Sequence, residues 1–425
     1  MLSQAFLPLA LTSGLALYLA WNLGANDVAN SMGTSVGSKA VTLRQALVIA
    51  GILEFTGAVL FGREVAGTLA TGVVNPELFA TQPQVLVAGM VSVLLSCGLW
   101  LQIATSLSLP VSSSHAVVGA LAGFGWVAVG AAAVDWQAIG LISLTWVITP
   151  LISGAIAACF YSQVKRWILD QPNPVQCLNE WIPWLSAALF GVFGVIVLPS
   201  LSQPIQQFLV LQLGVSLPKH DIPLLIGAIA TVSLTWTSWR QLAERRHIED
   251  ASRQVEQQLG RFQVMSACFV AFAHGSNDVG NAVAPLAAIA YIQATHSVPT
   301  ENFSVPLWIL VLGGTGIVGG LAVWGKKVIA TIGEGITALQ PSGGFCAELA
   351  TAATVLLASR FGLPVSTSHA LVGGVVGVGL VKSWRAVKLS TLREIGLAWL
   401  VTIPVAAVLS ALIFASIRLF WLAAI

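Results

Sequence analysis

Charge is what this sequence has least of. Of its 425 residues only 8% are Asp, Glu, Lys or Arg, against 56% hydrophobic ones, whereas a soluble domain carries about 25% charged residues. Mean hydropathy is +0.86. The deficit excludes a soluble globular chain. It points to a polytopic membrane protein whose apolar stretches repeatedly reach the ~20 residues that a spanning helix needs. A net charge of +2 is too small to suggest a nucleic-acid partner. The five cysteines (Cys97, Cys159, Cys177, Cys268, Cys346) include no pair at metal-ligand spacing, so they read as packing residues rather than a disulfide or zinc framework. A basic n-region is missing from Met1–Gln4, so the first apolar run is expected to stay as a membrane helix.

The few basic residues mark sides. Short loops rich in Lys and Arg face the cytoplasm, and none of either precedes Lys39. The N-terminus is therefore expected outside and the Lys39/Arg44 turn inside. Lys165-Arg166, Lys326-Lys327 and the group Lys382, Arg385, Lys388 and Arg393 also read as inside, which leaves the C-terminus outside. The one long hydrophilic stretch, 240–261, mixes five Arg with four acids and reads as a cytoplasmic helical linker. It divides the chain into 1–239 and 262–425.

Against this apolar background one stretch demands explanation: Gly24-Ala25-Asn26-Asp27-Val28-Ala29-Asn30. An ionisable residue at membrane depth costs on the order of 3 kcal/mol or more unless it meets a partner or cavity. The stretch returns 251 residues later as Gly275-Ser276-Asn277-Asp278-Val279-Gly280-Asn281. A second motif is doubled too. Leu109-Pro110-Val111-Ser112-Ser113-Ser114-His115 matches Leu363-Pro364-Val365-Ser366-Thr367-Ser368-His369 at an offset of 254, and Trp146…Pro150 matches Trp399…Pro404 within one residue of that spacing. Agreement over both halves means internal duplication. The charge pattern starts the first copy outside and the second inside, which is the inverted-topology repeat of secondary transporters. The fold expected is all-α, with discontinuous helices and two helical hairpins whose polar tips point toward the membrane centre.

Each tip breaks at Pro and restarts on Ser or Thr, the residues that cap a new helix. Ser112, Ser113, Ser114, Ser366, Thr367 and Ser368 would surround a small oxyanion with hydroxyls and unpaired N–H groups. The Asn-Asp stretches offer carboxylate and amide oxygens, with backbone carbonyls freed where a helix unwinds at Gly24 or Gly275. These are hard ligands suited to Na⁺. Asn26, Asp27, Asn30, Asn277, Asp278 and Asn281 are the cation candidates, Asp27 and Asp278 foremost. Glu54 and Glu348 lie in apolar runs without a local basic partner and are either cation or proton-relay groups or interhelical hydrogen bonders. Glu348 has Leu94 as its counterpart, so the halves are not identical. His115 and His369 close the tips as structural groups or proton carriers. No Gly-x-Ser-x-Gly elbow surrounds either tip, and every element is doubled, which disfavours a membrane hydrolase.

The doubled Asn-Asp stretches and Leu-Pro-Val-Ser-(Ser/Thr)-Ser-His tips, in this order, resemble the inorganic phosphate transporter (PiT) family over nearly the whole chain. The resemblance implies about twelve membrane segments in two inverted halves, as in other repeat-built carriers. It implies a homodimer in the cell inner (plasma) membrane that imports inorganic phosphate, or a metal-phosphate complex, by symport with Na⁺ or H⁺. No cofactor is expected. Phosphate would be held by the tips and cations by the Asn-Asp stretches, and Glu54 and Glu348 match acidic positions of the family. One departure stands out: some members carry a Glu in the first limb of the first hairpin where this chain has Met90. A sulfate permease on the same scaffold is the nearest alternative, and a passive anion channel a further one.

Overall fold

A computed structural model of the protein describes residues 2–213, 218, 220–244, 250–300, 303–333 and 339–420. Within the polar stretch 240–261, Arg245, Arg246 and Glu249 lie outside the described residues. The described chain is helical: α1 Leu2–Gly37, α2 Leu43–Phe61, α3 Arg63–Thr71, α4 Pro83–Ser106, α5 Ser113–Val129, α6 Trp136–Val164 and α7 Pro174–Ile196. The order continues with α8 Leu198–Leu213, α9 Asp221–Glu244, α10 Ala251–Thr295, α11 Leu307–Gly333, α12 Pro341–Arg360, α13 Thr367–Lys382 and α14 Leu389–Phe420. Among the described residues β-pairing is confined to one isolated bridge, Val74 to Val134.

Local chemistry sets the ends. Thr42 and Gln45 form a reciprocal capping box on α2, while Asp135 caps α6 and Asp250 caps α10. Pro83, Pro174 and Pro341 occupy first turns, where the missing N–H costs nothing. The described residues of the stretch 240–261 divide between two long helices: 240–244 finish α9, and 251–261 begin α10.

Among the described residues nine helices are long and apolar enough to cross a membrane. The limbs α5 and α13 are shorter apolar helices. Large side chains on the outer faces are bare, including Leu224, Leu225, Ile229, Val232 and Trp236 along α9 and Leu400, Val408, Leu412 and Leu419 along α14. Apolar exposure of this extent suits hydrocarbon as the solvent. The chain is a multi-pass membrane protein.

The two hairpins, α4–α5 and α12–α13, are exchanged between the halves. The second limb of the first hairpin packs on α14, and a Cβ at Gly123 would stand 2.1 Å from the Ala407 carbonyl oxygen. The second limb of the other packs on α6, where a Cβ at Gly377 would stand 2.2 Å from the Gly154 oxygen. Backbones this close require small residues. The second limb of each hairpin is therefore clamped by a long helix of the other half of the chain.

The turn at Lys39, the segment at Lys165 and the start of α10 come together around two adjoining cavities. Lys39, Asp250, Arg253, Arg261 and Pro341 line one cavity there, and Tyr161, Lys165, Asp170, Ser252 and Glu256 line its neighbour.

Candidate functional site

The Asn-Asp stretches lie within α1 and α10, and both helices run through them unbroken. The unwinding expected at Gly24 and Gly275 is absent, so no backbone carbonyls are freed. The two glycines serve packing instead. A Cβ on Gly24 would fall 2.0 Å from the Ile317 carbonyl oxygen, and one on Gly275 would fall 2.0 Å from that of Glu54. The repeated Gly lets α1 press on α11 and α10 press on α2, in mirrored fashion.

The tips are helix starts, as their sequence demands. Ser112 accepts from His115 N–H at 3.4 Å and Ser366 from His369 N–H at 3.3 Å. Asn26 and Asn277 tie the turns down. Asn26 Nδ2 donates to Thr105 Oγ1 at 3.0 Å and Leu109 O at 3.2 Å, and Asn277 Nδ2 donates to Ser359 Oγ at 3.0 Å and Leu363 O at 3.1 Å. The amide nitrogens are thus structural, while the carbonyl oxygens of both side chains are buried without a partner.

The tips meet each other and the Asp residues. Ser114 Oγ donates to Val365 O at 3.0 Å, crossing from tip to tip, and the hydroxyls of Ser366 and Ser368 are 2.9 Å apart. Thr367 Oγ1 donates to Asp278 Oδ2 at 2.8 Å, and Asn281 Nδ2 reaches Ser113 and Ser114, both at 3.2 Å. Asn30 instead turns to Asp27 Oδ1 at 3.3 Å. All six tip residues and all six Asn-Asp residues are buried.

Near this centre sits a residue that the sequence did not single out, His274. Its Nδ1 is 3.2 Å from Glu54 Oε2 and its Nε2 is 3.0 Å from Asp278 Oδ2, with all three side chains enclosed. One ligand atom each from Asp27, His274 and Asp278 lies within 4.8 Å of the others. Glu54 also accepts from Ser31 Oγ at 2.8 Å. The only sequence clue was position: His274 directly precedes the repeated Gly275. Its counterpart before Gly24 is Leu23, and the counterpart of Glu54 beneath that glycine is Ile317. One copy of this contact is apolar and the other ionisable.

Glu348 belongs elsewhere. Thr34 Oγ1, Ser35 Oγ and Gln263 Nε2 donate to Oε1 at 2.6, 2.7 and 3.2 Å, and Ser266 Oγ donates to Oε2 at 2.8 Å. Along α1 that node lies about 11 Å from Asp27, toward the basic end. The eight cation candidates therefore form a central group of seven and a satellite. Met90 is buried among apolar side chains, so no acid stands there.

His115 and His369 form a crossed knot with the two matched tryptophans. His115 packs on Trp146 with centroids 3.8 Å apart and the rings tilted by 38°, and places Nδ1 3.3 Å from Trp399 O. His369 packs on Trp399 at 3.5 Å and places Nδ1 2.9 Å from Trp146 O. The imidazoles meet edge to face at 4.7 Å.

Chemically, the centre combines hydroxyl donors and two helix N-termini with oxygen acceptors. Asp27 Oδ2, Asp278 Oδ1 and the side-chain oxygens of Asn26, Asn277 and Asn281 are buried without a hydrogen-bond partner. Buried oxygens in this number are rare in a finished core, and they fit hard cations.

The fold is that of a polytopic membrane protein with a buried polar centre. The profile of the phosphate transporter family matches residues 23–410. The chloroplastic inorganic phosphate transporter 2-1 of Arabidopsis thaliana is 40% identical over 412 residues, covering 92% of this chain and 69% of the relative. A putative phosphate permease of Haemophilus influenzae is 36% identical, with 96% of each chain covered. A solved structure described as the sodium-dependent phosphate transporter matches with a TM-score of 0.86 at 36% identity, over 97% of this chain and 99% of that one. The chain belongs to the phosphate transporter family; it is a transport protein, not an enzyme.

Proposed function

We propose that the protein imports inorganic phosphate by symport with Na⁺ through alternating access, with the two tips holding the anion and the Asn-Asp stretches the cations. The observation that carries this reading is the juxtaposition of Asp27, His274 and Asp278 with the serine tips. Two carboxylates buried so close together need positive charge among them, and a phosphate dianion beside them needs more. Ser112, Ser113, Ser114, Ser366, Thr367 and Ser368 supply donors to the anion. Asn26, Asn277 and Asn281 supply oxygens to the cations together with Asp27 and Asp278, and Asn30 orients Asp27. Glu54 completes the charged group, and Glu348 is a second cation station on the way to the basic end. Kinship with a sodium-dependent transporter favours Na⁺ over H⁺.

In this reading the nine apolar helices together with α5, α10 and α13 make twelve membrane segments in two inverted repeats. The first repeat with its connecting spans occupies 1–239 and the second repeat 262–425, and two copies of the chain assemble as a homodimer in the inner (plasma) membrane. The basic end faces the cytoplasm and both termini lie outside.

The decisive experiment is uptake of radiolabelled phosphate into proteoliposomes with Na⁺ and pH gradients imposed separately. Accumulation driven by the Na⁺ gradient alone is expected, and accumulation driven only by a pH gradient would transfer the assignment to H⁺. Competition in the same assay tests the anion. Phosphate carries a proton at neutral pH and sulfate does not, so unpaired side-chain oxygens beside the tips accept a hydrogen bond from phosphate and repel sulfate. Discrimination of this kind reaches several kcal/mol. Arsenate is expected to compete and excess sulfate to leave uptake unchanged; equal inhibition by both would favour a sulfate permease.

Orientation has its own test. Cysteines placed at Asn75 and Ser252 should react with an impermeant maleimide from opposite sides, Ser252 from the cytoplasm. Labelling of both from one side would undo the inverted arrangement.

A further inference from the structure

At the basic end, α12 begins without a cap of its own. Gln340 makes no side-chain hydrogen bond at the N-cap, and Pro341 follows it. The free N–H of the next residue is taken up by another helix: Ser342 N donates to Glu256 Oε2 at 2.9 Å, and Ser342 Oγ donates to Oε1 at 2.7 Å. Both oxygens of a carboxylate on α10 are committed to the first turn of α12. A carboxylate there gains from the aligned peptide dipoles, and charge-assisted bonds are the stronger class. Lys382, the last residue of α13, lies within electrostatic reach of Glu256. Its ammonium also stands 5.8 Å from the centroid of the Tyr161 ring on α6. One side chain thus engages the second hairpin at both its beginning and its end.

The first hairpin has no matching side chains in the sequence. At the repeat offsets, Glu256, Ser342 and Lys382 correspond to Ala5, Ala88 and Ala128, whose side chains neither donate nor accept. The tips, their caps, the tying asparagines and the His–Trp contacts are all doubled, while this tie is single. It also borders open space. A cavity of about 830 Å³ lined by Lys39, Arg253, Glu256 and Gln340 lies on one side, and one of about 200 Å³ between Tyr161, Lys165 and Glu256 lies on the other. From the wall of the larger cavity a hydrogen-bonded chain leads inward. Ser38 Oγ donates to Gln263 Oε1 at 2.6 Å, and Gln263 Nε2 donates to Glu348 Oε1 at 3.2 Å.

We propose that Glu256 is a gating residue: its grip on Ser342 latches the base of the second hairpin, and release of that grip opens the site toward the cytoplasm. The proposal rests on the alternating-access reading given above. It makes the two gates unequal, with a charged latch inside and an apolar closure outside.

A native reporter lies one helical turn from the latch. Cys346 is buried on α12, and a full-length chain keeping it as the sole cysteine can be probed in inside-out vesicles with an impermeant maleimide. Glu256→Gln keeps the shape but loses the charge, and it should raise the Cys346 labelling rate by about tenfold or more, since charge-assisted bonds are roughly twice as strong as neutral ones. Ser342→Ala keeps the backbone donor and should raise the rate by a smaller factor. In both variants the affinity for phosphate in the presence of Na⁺ should stay near that of the parent, and phosphate exchange should speed up relative to concentrative uptake. Equal labelling in parent and Glu256→Gln overturns the latch. Rapid labelling accompanied by lost phosphate binding overturns it as well, because that marks unfolding rather than gating. Reaction of Cys346 from the outer side only would instead overturn the orientation on which the latch depends.

Discussion

Replacing Asp27 or Asp278 by Asn is expected to abolish concentrative phosphate uptake while leaving the protein folded and inserted. The change is isosteric and removes one charge. Asn at 278 can still accept from Thr367, whose hydroxyl is 2.8 Å from the Asp278 carboxylate, and Asn at 27 can still accept from Asn30. What disappears is Coulomb attraction for a bound cation. At 4 Å and an effective dielectric constant near 20 this amounts to about 4 kcal/mol, or roughly a thousandfold in cation affinity. Loss on that scale moves the Na⁺ requirement beyond any practical concentration. Asp278→Asn should be the more damaging of the two, because it also deprives His274 of the carboxylate 3.0 Å from its Nε2. Radiolabelled uptake into proteoliposomes under a Na⁺ gradient measures the effect. A variant that accumulates phosphate as the parent does would remove the Asp residues from the cation site.

Why these residues could be read from the chain, and others not, has a physical basis. Polar groups in hydrocarbon are costly, so a charge-poor sequence advertises the few it keeps: Asp27, Asp278 and the serine tips stand out against their surroundings. Duplication makes the signal stronger, and the matched pairs Asn26/Asn277 and Ser112/Ser366 prove to have matched hydrogen bonds. Partnership across the fold is another matter. Glu54 shows no local partner because its partner, His274, is 220 residues away, and Glu348 finds Thr34 and Ser35 on the first helix. Glycine misled for a related reason. In isolation, Gly24 and Gly275 read as helix breaks, yet each is a point where one backbone meets the carbonyl of another, and only the opposing helix reveals that.

The single ionisable contact beneath Gly275 gives the second large effect. His274→Leu installs the residue found at the equivalent place in the first half, and taken alone it should destabilise the protein severely. Glu54 and Asp278 would then lose the ring nitrogens 3.2 and 3.0 Å away and face an apolar side chain, and removing one partner of a buried ionisable contact costs about 3–5 kcal/mol. His274→Leu combined with Glu54→Ile completes the first-half pattern of Leu23 and Ile317, both of which are fully buried. Replacing both partners of a buried ionic contact by apolar residues is often neutral or better for stability, so the double variant should regain most of the loss. It should not regain transport, since Asp278 has lost His274 and the charged group has shrunk to Asp27 and Asp278. Thermal unfolding in detergent reads the first effect and Na⁺-driven uptake the second. A double variant no more stable than His274→Leu would show that the contact between His274 and Glu54 is not the energetic unit described here. One that transports normally would show that the asymmetry between the halves has no part in coupling.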